Sequence, residues 1–421
     1  NLLSFFHIKR SWLEKGGLAL LDQFLFSGAN FLVNILLARW LSPEEYGAFV
    51  VALSIYYLLA AFHTAILTEP MLVFGAGRYR EQFRFYLTLL FRGHWGITVS
   101  ISIALGLVST VFWQLDNIRL VYAFGGLAVS VPFLLLFWLV RRVNYVYLKP
   151  LPATIGSASF ASITILLLFI TFHVGALTSF SAFVCFGMAS LISSIGLLLQ
   201  KTLIKDTRPQ ASLKFNEILK HHLSYGKWSI GSNLLSSLYL NTFNLILPIF
   251  VGLVGVARFR ALLNFTLPLQ QIFNSLTPLT LAYMARHSLQ PKKLDQVIYY
   301  LTGIGLLVSI GYALIGELFG QELIRIFYAT KYSNILSYLP LTYPYPLLTA
   351  FCMALGAAFR STDRIKLVFL SYALSVAIVT APAIILCASF GVLGAVQGYL
   401  LYGLVLSALL GTAWYRKRRM K

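Results

Sequence analysis

The chain has 421 residues, of which 58% are hydrophobic and only 11% charged, against about a quarter charged in soluble domains. With 33 lysines and arginines against 13 acids it carries a formal charge of +20. This composition excludes a soluble domain, and three cysteines at unrelated spacings inside apolar runs (Cys185, Cys352 and Cys387) exclude a disulfide framework or thiolate metal site.

Apolar runs of roughly 20 residues, the length that crosses a ~30 Å hydrocarbon layer as a helix, predict an all-α membrane fold of twelve spans. They fall at about 17–39, 48–68, 92–112, 120–140, 153–173, 179–200, 228–250, 259–281, 297–318, 335–358, 366–387 and 391–414. Between the first two, ARWLSPEEYGAF (38–49) packs a cation, two carboxylates, a proline and a glycine into one short turn. Glu44 and Glu45 follow directly after Pro43, where first-turn carboxylates favour a helix N-terminus. RYREQFRFY (78–86) and the basic connection at about 201–227 interleave cations with aromatics or leucines. Both read as amphipathic segments on the inner leaflet, facing anionic lipids. Span 10 is interrupted by Pro340, Pro344 and Pro346; such breaks survive only where neighbouring helices or a wet cavity satisfy the freed backbone groups. No short apolar segment with a small-residue cleavage site is read at the N-terminus, so no removable signal peptide is expected.

Lysine and arginine set the orientation, because short cytoplasmic loops collect them. With twelve spans, 27 of the 33 basic residues fall on the side of the N-terminus, leaving Arg39, Arg119, Arg258, Arg260, Arg325 and Lys331 opposite. Both termini are therefore expected in the cytoplasm. The positive charge needs no nucleic acid; it is topology plus attraction to anionic headgroups.

The longest connection divides the spans into residues 1–200, a cytoplasmic connecting segment 201–227, and residues 228–421. A gapless shift of 210 residues aligns Gln23 with Asn233, Ser27 with Ser237, Asn34 with Asn244 and Phe49 with Phe259. At 100° per residue the three polar positions stay within a sector of about 40°. Each half thus opens with a helix carrying one polar stripe. With six spans each, the halves share one orientation, related by a pseudo-two-fold axis along the membrane normal. Span 8 adds Arg260, Asn264, Gln271 and Asn274 within about 80° of one another. Such stripes are costly toward lipid, so they either hydrogen-bond neighbouring helices or line a cavity. The cavity candidates are Gln23, Asn30, Asn34, Asn233, Asn244, Asn264, Gln271 and Asn274. Amides both donate and accept, which suits sugar hydroxyls without selecting one sugar.

Asp22, His63 and Glu69 are the candidates for ion coupling. Span 1 starts and span 2 ends on the cytoplasmic side, so Asp22 and His63 lie at similar depths. An intramembrane acid beside a histidine can relay H+ or hold a cation such as Na+. Plain salt bridging fits the same residues.

NILLARWLSPEEYGAF (34–49), FGQELIRIFYATKYSNI (319–335), GAAFRSTDRIK (356–366) and FGVLGAVQGYLL (390–401) together resemble, in order, the Wzx-type oligosaccharide flippases, a polysaccharide transporter family. The resemblance spans nearly the whole chain. It implies the superfamily that also holds the drug-exporting MATE proteins and the lipid II flippase MurJ, with two six-helix bundles around a cavity open alternately to either side. The two further helices usual in MurJ-like proteins are not among the twelve spans. The substrate implied is an undecaprenyl-diphosphate-linked oligosaccharide for envelope polysaccharide (O-antigen, capsule or exopolysaccharide) in a bacterial cytoplasmic membrane. Polymerase and glycosyltransferase partners are implied, and no cofactor.

Helix pairs 1–2 and 7–8 resemble those lining the cavity in this superfamily. Arg39, Arg258 and Arg260 would then converge on a lipid diphosphate, which guanidinium binds bidentately. Arg39 also reads as a snorkelling anchor at the interface. A MATE-like drug or cation antiporter is the rival on the same fold, but it predicts an acidic, aromatic site where these stripes hold amides and arginines. A membrane glycan polymerase or ligase would need a sizeable external loop with catalytic groups, and the outer loops are short.

Overall fold

The computed structural model describes residues 10–76, 78–147, 149–199, 215–287, 289–329, 331–362 and 364–419. The apolar runs form α1 (Arg10–Trp40), α2 (Pro43–His63), α3 (Glu69–Ala76), α4 (Phe83–Gln114), α5 (Ile118–Val146), α6 (Pro150–His173) and α7 (Ser179–Leu198). The second half supplies α8 (Phe215–Asn264), α9 (Leu267–Arg286), α10 (Pro291–Tyr328), α11 (Tyr345–Ser361) and α12 (Ile365–Arg419). A π-helical turn, Thr64–Thr68, joins α2 to α3, and a 3-10 helix, Ser333–Thr342, precedes α11. No strand occurs among the described residues.

Among those residues nine helices are long and apolar enough to cross a membrane, and the 3-10 helix with α11 makes a tenth crossing bent by 41°. The prolines place that bend: Pro340 lies in the 3-10 helix, and Pro344 and Pro346 open α11, where a missing N–H leaves no helical bond unmade. Helices α8 and α12 are each two crossings. Gly252 (φ +66°) and Gly391 (φ +56°) take the left-handed conformation that glycine adopts at no steric cost, and there the chain reverses. The rings of Phe243 and Phe259 in α8 stand 5.8 Å apart, where a straight helix would hold them ~24 Å apart. In α12 the hydroxyls of Thr380 and Tyr402 share a 3.1 Å hydrogen bond across what would be ~33 Å of straight helix. With these two hairpins, and α9 completing the eighth crossing, all twelve predicted spans are accounted for.

The residues divide into two compact units: one runs to Asn30 and resumes at Ile55–Ile230, and the other takes Phe31–Ser54 with everything from Gly231. Of the connecting segment expected at 201–227, residues 201–214 lie outside the described ones and 215–227 begin α8. In the first unit α5 is the buried centre, with Leu135, Leu139, Val140 and Val143 fully covered. Gly126 lets α7 approach it, since a Cβ there would stand 2.7 Å from the Phe180 carbonyl oxygen. Ile103, Leu107 and Val111 of α4 point outward, as Leu307, Leu314 and Leu318 of α10 do in the second unit. Outward apolar stripes of that length suit lipid and not water.

The positions aligned by the 210-residue shift share their environments. Ser27 and Ser237, Asn34 and Asn244, and Phe49 and Phe259 are all buried, while Gln23 and Asn233 are both half-buried.

Candidate functional site

The turn ARWLSPEEYGAF is built by local chemistry. Pro43 opens α2, Glu44 and Glu45 fill its first turn, and Ser42 Oγ accepts from the Glu45 N–H at 3.2 Å. Arg39 works as a cap: its Nη1 donates to the Ile326 carbonyl near the end of α10, at 2.9 Å. Lys331, just past α10, returns the contact by donating to the carbonyls of Arg39 (2.6 Å) and Leu41 (2.7 Å). Two helix C-termini thus exchange cations, each meeting the negative end of the other's dipole. Burial pushes the Lys331 ammonium below its usual pKa.

Behind this turn, inside the second unit, lies a closed polar cluster. Asn34 Oδ1 accepts from the Tyr46 hydroxyl and from Arg260 Nε, both at 3.4 Å. Asn264 Nδ2 donates to the hydroxyls of Tyr46 and Tyr328, both at 3.2 Å, and Tyr328 donates onward to the Ala261 carbonyl at 2.9 Å. Asn34 is 3% exposed, Arg260 7% and Asn264 0%. Three polar-stripe residues from two helices therefore meet in the protein interior. Tyr46 and Tyr328, which join them, carry no polar-stripe signal, because a tyrosine in an apolar run reads as core.

Asn244, the pseudo-equivalent of Asn34, is 0% exposed, and neither end of its amide finds a partner among the described residues. A buried amide left unpaired costs about 1–3 kcal/mol, so packing alone does not account for an asparagine here. Asn244→Leu, which keeps the branching and the number of side-chain heavy atoms while removing both polar ends, is expected to raise the melting temperature of the detergent-solubilised protein while lowering its export. An unchanged melting temperature would show that the amide is satisfied. Gln271, Arg258 and Asn233 are half-buried, and the Asn274 side chain lies outside the described ones.

In the first unit the amides bond along their own helix: Gln23 Nε2 donates to Ser27 Oγ and Asn30 Nδ2 to the Phe26 carbonyl, both at 3.0 Å. Asp22 is 2% exposed and accepts from the Tyr145 hydroxyl at 2.5 Å and from the Ser157 hydroxyl. Its charge partner is Arg141, whose Nη1 lies 3.5 Å from Asp22 Oδ1. His63 pairs with His94, Nε2 to Nδ1 at 3.0 Å, with both rings fully buried. Asp22 and His63 are thus each matched to a different residue. Equal depth in the membrane fixes height but leaves the direction around each helix open. Glu69 opens α3 just past the π-helical turn, and its charge acts on Arg142.

Where the first turns of α8 reach the same unit, Tyr79 bonds His221 at 2.7 Å and Tyr86 bonds His222 Nε2 at 2.6 Å. His222 Nδ1 donates to the Ile66 carbonyl at 2.7 Å, and in the neutral ring, the form that burial favours, Nε2 accepts from Tyr86. Segment 78–86 is therefore a docking turn and helix start with Tyr79 and Tyr86 buried, rather than a surface amphipath. Burial lowers the His222 pKa below the usual 6.5, so the unfolded state takes up the proton first and this contact weakens as pH falls below that value. Once the intrinsic slowing of amide exchange in acid is divided out, protection over residues 215–223 is expected to fall on going from neutral to acid pH, and His222→Gln should flatten that dependence.

Residues 36–337 match the family model described as "Polysaccharide biosynthesis protein". No curated protein matches the chain in sequence. Among solved structures, a multidrug resistance MATE family transporter of the MOP superfamily, inward-facing, is similar at 17% identity and TM-score 0.75, with 94% of each chain covered. The lipid II flippase MurJ, inward closed, is similar at 15% identity and TM-score 0.72, over 93% of this chain and 86% of that one. A MOP superfamily transporter from Pyrococcus furiosus, described by a binding pocket of reverse polarity, is similar at 17% identity and TM-score 0.67, over 97% and 94%. At such identities the likeness shows the fold.

Proposed function

The chain belongs to the polysaccharide biosynthesis protein family, and we propose that within it the chain flips an undecaprenyl-diphosphate-linked oligosaccharide across a bacterial cytoplasmic membrane. The observation that carries this reading is Arg260, a buried guanidinium that donates to Asn34 Oδ1, which also accepts from Tyr46, whose hydroxyl in turn accepts from Asn264. Guanidinium suits phosphate, and amides with hydroxyls suit sugar. A cationic drug would want the opposite charge. In this reading Arg39, Arg258 and Arg260 meet the diphosphate, Gln23, Asn30, Asn34, Asn233, Asn244, Asn264, Gln271 and Asn274 meet the glycan, and the prenyl tail stays in lipid.

Transport proceeds by alternating access of the two six-span halves, residues 1–200 and 228–421, with both termini cytoplasmic. The product supplies O-antigen, capsule or exopolysaccharide synthesis, between the glycosyltransferases that build the unit and the polymerase that extends it. Basic loops hold anionic lipids. Asp22, His63 and Glu69 couple the cycle to H+ or Na+; a proton on Asp22 would remove the charge that holds Arg141.

Deletion in a host is expected to pile up lipid-linked glycan on the inner leaflet, with rescue by the intact chain and none by Arg260→Gln. Drug sensitivity without that accumulation would overturn the reading in favour of a MATE-like antiporter.

A further inference from the structure

The second unit holds a cavity of about 290 Å³ between α8, α9, α11 and α12, and the charge of Arg260 reaches its lining residue Tyr399. Its walls bring together Tyr239, Tyr345, Tyr372 and Tyr399 with the amide of Gln270 and the guanidinium of Arg360. The rings stand edge to face, Tyr345 against Tyr399 at 4.8 Å and 74°, and Tyr239 against Tyr372 at 6.1 Å and 84°. Flat apolar faces and hydroxyl tips therefore line the same space. Arg360 ends α11 and is exposed, so it stands at the mouth while the tyrosines form the interior. Gly356 also lines the cavity, and a Cβ on it would meet nothing within 4 Å. Bundle-facing glycines in membranes ordinarily let a neighbouring helix close in; this one opens onto free space.

We infer that this cavity is a second saccharide subsite, holding one pyranose ring whose anionic substituent meets Arg360. A sugar ring has apolar C–H faces and polar edges, the complement of aromatic faces bordered by hydroxyls and an amide. An acyl chain would offer nothing to the Arg360 guanidinium or to the hydroxyls of Tyr239 and Tyr372, whereas Tyr345 and Gln270 already donate to the Val396 carbonyl at 3.2 Å and to Thr266 Oγ1 at 3.3 Å. A cationic drug would find no carboxylate among the described lining residues and a guanidinium at the mouth. The volume lies at the small end of ligand sites, which run from about 300 Å³ upward, so one ring fits and a chain of rings does not. The anion is either a carboxylate on the sugar or a phosphate at its reducing end, and guanidinium takes both. This inference rests on the flippase reading for why a glycan would be present at all.

The test is titration of the full chain in lipid nanodiscs with glucuronic acid, a glucose phosphate and methyl glucoside. At least one acidic sugar is expected to bind at least about tenfold tighter than methyl glucoside, one decade in dissociation constant. Binding of glucuronic acid alone assigns the anion to a ring carboxylate, and of glucose phosphate alone to the glycosyl phosphate. Arg360→Gln should abolish the preference for the acidic sugars while the neutral one still binds. Gly356→Leu, which grows into the free space, should weaken every sugar by about tenfold or more. Should that variant fail to fold, Gln270→Leu is expected to give a loss of the same order. Unaltered affinities in the folded variants, or no binding by any of the three sugars, overturn the subsite. If they do so while a deletion host still accumulates lipid-linked glycan, the flippase reading stands; sugar binding without accumulation supports the subsite and removes the flippase.

Discussion

Asp22→Asn is expected to destabilise the protein by about 3–5 kcal/mol, the usual result of removing one partner from a buried ion pair. The carboxylate and the Arg141 guanidinium have side chains only 3% exposed, and Arg141 also donates to Ser157 Oγ at 3.1 Å. Asparagine keeps the shape and loses the charge, so Arg141 stays behind as an uncompensated cation. It lies over the rings of Phe26 at 4.2 Å and Trp138 at 5.3 Å, but a desolvated cation–π contact contributes only about 2 kcal/mol and cannot replace a carboxylate. Arg141→Met in the same chain removes the second charge, so no buried charge is left unpaired, and the asparagine at position 22 can still accept from Tyr145 and Ser157. The double variant is therefore expected to melt close to the unmodified protein in detergent, well above the single one. A single variant that melts with the unmodified chain would refute the ion pair. Export then separates structure from coupling. A folded double variant that exports normally makes the pair a rivet, and one that is folded but idle makes the pair part of the transport cycle.

That pair also shows what a sequence can display. Asp22 stands out because a carboxylate in an apolar run is rare, but Arg141 lies more than a hundred residues later and reads there as one more cytoplasmic cation. The twelve crossings were legible because each is an apolar run bounded by charge, glycine or proline. Asn34, Arg260 and Asn264 were legible as polar stripes, since one helix displays its own face through its own periodicity. Their meeting through Tyr46 and Tyr328 was not, because periodicity within one helix says nothing of which residue of another stands opposite. The cavity of the second unit escaped for the same reason: four tyrosines from three helices form one wall, and none forms a stripe. The π-helical turn at Thr64–Thr68 has no local signal either. Trp138 Nε1 donates to Thr64 Oγ1 at 2.9 Å, a tertiary contact from α5 at the turn itself.

Gly47→Ala is expected to be the most damaging single methyl that the first turn can receive. A Cβ on Gly47 would fall 2.0 Å from the carbonyl oxygen of Leu253 and 2.6 Å from its carbon, backbone atoms that no rotamer change can move aside. Leu253 directly follows Gly252, whose left-handed backbone reverses α8, so making room means displacing the reversal itself. The start of α2 and the turn of α8 are thus packed backbone to backbone, and only glycine permits it. Overpacking of a core side chain costs about 1–3 kcal/mol; here, with backbone as the obstacle, the loss should lie at or above the top of that range. Gly303 of α10 supplies the control. It is exposed, and a Cβ there meets nothing within 4 Å, so Gly303→Ala should gain helix propensity of about 0.5–1 kcal/mol. The same change of one hydrogen to methyl is then expected to move the melting temperature in opposite directions at the two sites. Equal shifts would mean that α2 and the α8 turn are not in backbone contact, and the glycine of the SPEEYGAF turn would need another explanation.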